Sequence, residues 1–165
     1  MENRKLVIKD SWLIIPTVLL LGYFLFRFVD MFQMVNHFPI ADVGSDYSGH
    51  MARLYFLKEY GFHSIVPNWF NGFSILQSYP FLWYFFALPV LYLVDNVQLT
   101  TLIIFLATYL LIFSTFFLIG KLERYSKIKV LAFFAFLFAN PITISYFLRL
   151  GKVTELFGWF FFFLL

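Results

Sequence analysis

The sequence contains no cysteine, so neither a disulfide nor a thiolate metal site can form, and this absence leaves the compartment open. Charge is scarce: Asp, Glu, Lys and Arg make up 13% of 165 residues. No basic patch is long enough to track nucleic acid, which removes that class of partner. No internal repeat, disordered tail or second soluble domain can be traced. Nor does a small-residue cleavage pattern follow the first apolar run, which ends in Phe24-Leu25-Phe26-Arg27-Phe28 behind Arg4, Lys5 and Lys9. The opening segment is therefore expected to be a retained first span rather than a leader.

What is present is apolar surface. The chain is 62% hydrophobic and 24% aromatic, with 26 Phe. A soluble domain of this size has no means of covering that surface, whereas lipid requires no covering. The expected fold is an all-α, polytopic transmembrane bundle with an extracytoplasmic first loop of juxtamembrane helices. Expected spans run over about 11–29, 99–119 and 130–148, the last kinked at Asn140-Pro141. A further apolar helix begins at 156 and runs to 165, so the chain reads as the amino-terminal portion of a membrane domain. Residues 30–79 form the first loop.

The run 80–94 is the doubtful segment. At ~1.5 Å per residue it makes a helix of only ~22 Å, short for a hydrocarbon core of roughly 30 Å. Charge arbitrates. The linker 121–129 carries Lys121, Arg124, Lys127 and Lys129 against Glu123 alone. If 80–94 crossed, this linker would lie outside, against the positive-inside rule. A juxtamembrane or re-entrant helix at 80–94 places the linker and the N-terminus in the cytoplasm. It also puts residues 149–155 on the same outer face as Asp46.

The chemically informative stretch is Asp42-Val43-Gly44-Ser45-Asp46-Tyr47-Ser48-Gly49-His50-Met51-Ala52-Arg53. Ser45 suits the N-cap of a helix starting at Asp46. Asp46, His50, Arg53 and Leu57 then share one face at helical spacing. Arg53 and His50 offer donors to a phosphorylated headgroup. Asp46 offers a general base or a ligand for a divalent cation. The same set also reads as dipole compensation and a solvated ion-paired face. His63 and Glu59 read as ordinary interfacial residues. Trp69, Tyr79, Trp83 and Tyr84 suit the headgroup level, either as membrane anchors or as a stacking wall for a sugar.

An acid in a D-x-x-x-H-x-x-R helix after the first span, followed by Pro67-Asn68-Trp69 and Tyr79-Pro80-Phe81-Leu82, resembles the first extracytoplasmic loop of the membrane-embedded GT-C glycosyltransferases. The likeness is nearest to membrane proteins labelled "6-pyruvoyl-tetrahydropterin synthase-related"; nothing here resembles a pterin-binding fold. The resemblance implies a polyprenyl-phosphate sugar donor, a glycan or protein acceptor, and a catalytic acid in the first loop. Asp46 matches that acid, with Asp42 as fallback. Arg149-Leu150-Gly151-Lys152-Val153-Thr154-Glu155 matches a second polar cluster, with Glu155 as its acid and Arg149 and Lys152 beside a phosphate. The resemblance admits a divalent cation (Mg or Mn) held by Asp46 and Glu155 without requiring one. The rival class is a non-catalytic lipid carrier or transporter subunit binding the same headgroup.

Overall fold

The computed structural model describes residues 10–33, 45–62, 65–67, 72 and 81–163. Among these the chain is helical, with no strand. Helix α1, Ile14–Met31, follows a 3-10 turn at Ser11–Leu13. Pro16 falls in its first turn, where the missing N–H would have no helical partner in any case. Helices α2 (Ser45–Tyr60) and α3 (Leu82–Val94) come next, then α4 (Val97–Leu122) and α5 (Lys127–Phe138). The short α6, Pro141–Ile144, continues as a π-helical turn over Ser145–Arg149, and α7 is Val153–Phe162.

Two helical segments, Ser11–Met31 and Val97–Leu122, are long and apolar enough to cross a membrane. The pair α5–α6, bent by 49°, makes a third if it counts as one span. Their outward side chains are apolar, with Leu19, Leu25, Phe26, Leu110, Leu118 and Phe133 all exposed. Such a surface is a liability in water and a match for acyl chains.

The bend has an identifiable cause. Pro141 cannot donate to Leu137, and its ring ends α5. Asn140 compensates on both sides. Its Oδ1 accepts from the backbone N–H groups of Ile142 and Thr143, each at 3.0 Å, which caps α6. Its Nδ2 donates to the Phe136 carbonyl at 2.6 Å and the Thr143 hydroxyl at 2.7 Å. One side chain thus satisfies backbone groups from both helices, and the chain bends without leaving them bare.

Contacts fix the direction of each helix. Asp10, at the start of the α1 segment, accepts a hydrogen bond from Ser126 Oγ at 2.7 Å and pairs with Lys129 at 3.4 Å. At the other end Met31 lies beside Tyr47, whose hydroxyl reaches Leu148. Helices α1 and α5–α6 therefore run the same way. Helix α4 runs against them, with Tyr109 on Phe24 and Phe116 on Phe134 and Phe138. Helix α7 returns beside α4 and α5, Phe163 meeting both Phe116 and Phe138. Gly120 lets α4 and α5 close tightly, since a Cβ there would fall 2.2 Å from Val130 Cγ2.

Helices α2 and α3 run parallel to each other. His50 faces Tyr84, and eight residues further along α2 the Lys58 ammonium pairs with Asp95 at the end of α3. Asp95 takes a left-handed backbone (φ 52°), and Asn96 caps α4 by accepting from Leu99 N at 2.8 Å. Helix α2 carries Asp46, Arg53, Lys58 and Glu59, a set too costly to place in hydrocarbon. Because α3 accompanies α2, it belongs to the same end of the bundle.

The elements differ from the sequence reading mainly at their ends. Helix α7 starts at Val153 rather than Leu156, so Glu155 stands in a helical first turn, where an acid complements the dipole.

The linker around Ser126 and the loop 150–152 thus occupy opposite ends. The absence of native cysteine makes this directly measurable. With an impermeant maleimide on intact cells, Leu150→Cys is expected to label and Glu123→Cys to label only after permeabilisation. Labelling of both from one side would refute the arrangement.

Candidate functional site

The site lies where the N-terminus of α2 meets the connection between α6 and α7. Its anchor is Tyr47, fully buried, whose hydroxyl donates to the Leu148 carbonyl at 2.7 Å. That carbonyl is available because the helix ends just after it, in a π turn with Leu150 N donating to Ser145 O at 3.0 Å. Gly151 takes φ 77° and sits against the Tyr47 ring, where a Cβ would approach to 2.7 Å. Only glycine meets both demands cheaply.

The anchor brings the two polar clusters together. Asp46, in the first turn of α2, pairs with Lys152 at 2.7 Å, and both side chains remain about one-third exposed (31% and 29%). Glu155 accepts a hydrogen bond from Tyr146 Oη at 2.5 Å and faces solvent. The Tyr146 hydroxyl also lies within electrostatic range of Asp46 and Lys152. Arg149 is exposed at the end of the π turn. The Arg53 guanidinium folds back along α2 to lie over Gly49, 3.5 Å from the position a Cβ would take there.

His50 departs from the role of an exposed phosphate donor. It is 1% exposed, bonded through Nδ1 to Tyr84 Oη at 2.9 Å, and packed against Trp83. Burial lowers its pKa from the ordinary 6.5 to about 4, and the Arg53 guanidinium pushes the same way against the opposing pull of Asp46. At neutral pH it is an uncharged core group. Trp83 and Tyr84 likewise lie in the core, each 1% exposed, rather than at a headgroup belt. Asp42, Tyr79, His63 and Trp69 fall outside the described residues.

Among the described residues, no donor set gathers for a divalent cation. Asp46 is turned to Lys152 and Glu155 to Tyr146. Among the described residues no three His, Asp or Glu side chains gather. What the site offers is a carboxylate held beside an ammonium, with a tyrosine-bonded second carboxylate and two guanidinium groups nearby. Such a site can take a proton and receive an anion.

Sequence reasoning missed Tyr47, Gly151 and Tyr146. A glycine closing the helix before a new first turn is a signal for a left-handed backbone. The two tyrosines carry no local signal, because Tyr47 reaches its partner across 101 residues. No family model matches the chain, and neither a curated protein nor a solved structure proves similar to it.

Two outcomes are expected. Gly151→Ala, forced against the ring in a left-handed backbone, should lower stability by roughly 2 kcal/mol in detergent denaturation. His50 binds more protons unfolded than folded between pH 6.5 and about 4, so its contribution is complete above 6.5 and fades as pH falls toward 4. The thermal midpoint of the native protein should therefore drop over that window more than that of His50→Gln. The difference should be of the order of 3 kcal/mol at its limit, and parallel pH curves would rule it out.

Proposed function

We propose that the chain carries the site of a membrane glycosyltransferase that takes a sugar from a polyprenyl-phosphate donor at the extracytoplasmic face. The observation that supports this reading above others is the Asp46–Lys152 pair, which joins a first-loop acid to a phosphate-competent cation at one end of a membrane bundle. In the proposed step the acceptor hydroxyl oxygen bonds to the sugar's anomeric carbon while the bond from that carbon to the phosphate oxygen breaks. Asp46 takes the hydroxyl proton, and the departing lipid phosphate keeps the electron pair. Lys152, drawn off Asp46 by the incoming phosphate, stabilises that charge together with Arg149 and Arg53. The exchange of partners frees the base as the donor arrives. Glu155, held by Tyr146, orients the acceptor in this reading.

The same pair also supports a second reading. A carboxylate already neutralised by Lys152 suits passive headgroup binding as well as it suits catalysis. Membranes containing the protein and a labelled polyprenyl-phosphate mannose separate the two. If the site is catalytic, Asp46→Asn lowers transfer on the order of 100-fold or more while the protein remains folded. Lys152→Gln lowers it by about tenfold or more through loss of phosphate stabilisation. Donor binding without transfer, unchanged in Asp46→Asn, would replace the enzyme with a carrier.

A further inference from the structure

The opposite end of the bundle holds a second charged feature that the transfer reading does not use. Where α4 turns into α5, a recess of about 510 Å3 opens, lined by Phe117 and Leu118 together with Lys121, Arg124, Tyr125 and Lys127. The turn has a defined geometry. Tyr125 N donates to the Gly120 carbonyl at 2.8 Å and Arg124 N to the Lys121 carbonyl at 3.3 Å, the bond pair of a Schellman closure. That closure requires a left-handed residue, normally glycine. Here it is Arg124, at φ 58°. A long cationic side chain therefore stands at a position that glycine would fill with less strain.

Among the described residues, the local acids do not neutralise these cations. Asp10, only 7% exposed, is committed to Ser126 and Lys129. Glu123 is not among the residues lining the recess. Among the described residues, Lys121, Arg124 and Lys127 make no ion pair. A topology signal needs positive charge near a span and nothing more. It needs neither a recess with an aromatic lining nor a strained arginine beside it.

We infer that this recess binds the headgroup of an anionic phospholipid, with the phosphate among Lys121, Arg124 and Lys127 and the first part of an acyl chain along Phe117 and Leu118. Charge complementarity selects an anionic over a zwitterionic lipid, and the apolar lining selects a lipid over a soluble phosphate. The inference rests on the chain lying in a bilayer and is independent of any transfer reaction.

The test uses the full chain, purified in mild detergent, with native mass spectrometry counting retained lipid. Phosphatidylglycerol is expected to remain bound at least tenfold more than phosphatidylcholine, and excess inorganic phosphate is expected not to displace it. Arg124→Asn should reduce retention about fivefold, since one cation near a lipid phosphate contributes on that scale. The triple change Lys121→Gln, Arg124→Asn, Lys127→Gln should reduce it further. Removing three cations also perturbs the topology signal, so the single variant decides, asparagine being at ease in a left-handed backbone. Equal retention by Arg124→Asn and the native chain overturns the proposal. So does equal retention of the two lipids, or full displacement by inorganic phosphate.

Discussion

The arrangement depends on the contact between Tyr47 and the backbone at Leu148. Helix α2 carries a charged sequence, yet it buries Tyr47, His50, Met51, Leu54 and Leu57 along one face. Its position against α6 is fixed by a buried phenol that finds the Leu148 carbonyl, left open where the helix ends, with Gly151 pressed against the ring. Removing the hydroxyl would leave that buried carbonyl bare, at about 1–3 kcal/mol. The ion pair between Asp46 and Lys152 is a consequence of this contact rather than its cause. A partly exposed pair is worth too little to hold two segments together.

The two ends of the bundle treat charge differently. At the α2 end, an acid and a base meet at 2.7 Å while the neighbouring imidazole is held neutral in the core. Cations and anions are nearly balanced there, with Asp46 already on Lys152. At the α4–α5 turn, Asp10 is used up by Ser126 and Lys129 and leaves the remaining cations in excess. One end pairs its charges. The other holds a standing positive field.

Much of the helical layout was legible because apolar length and the Asn140-Pro141 pair are local signals. Hydropathy alone marks α1 and α4, and a proline behind an asparagine marks the bend. The shared face of Asp46, His50, Arg53 and Leu57 was also legible, since helical spacing requires it. Which way that face looks was not. His50 is buried by Trp83 and Tyr84, the latter 34 residues away on α3, and no pattern within α2 announces them. The same limit explains Tyr146 and Tyr47. Tyr47 finds its partner at a helix end 101 residues away, and Tyr146 stands in a π turn, neither of which composition encodes.

That turn carries an implication for descent. A π turn is an α-helix that has accepted one additional residue, and each residue rotates the rest of the chain about the axis by about 100°. Shortening Ser145–Arg149 by one residue would restore regular winding there. It would also swing Gly151, Lys152 and Glu155 around the axis, away from α2. The extra residue thus acts as a spacer that aims the second cluster at the first. A related chain of ordinary helical register at this point would keep its membrane body and have no junction between the two clusters.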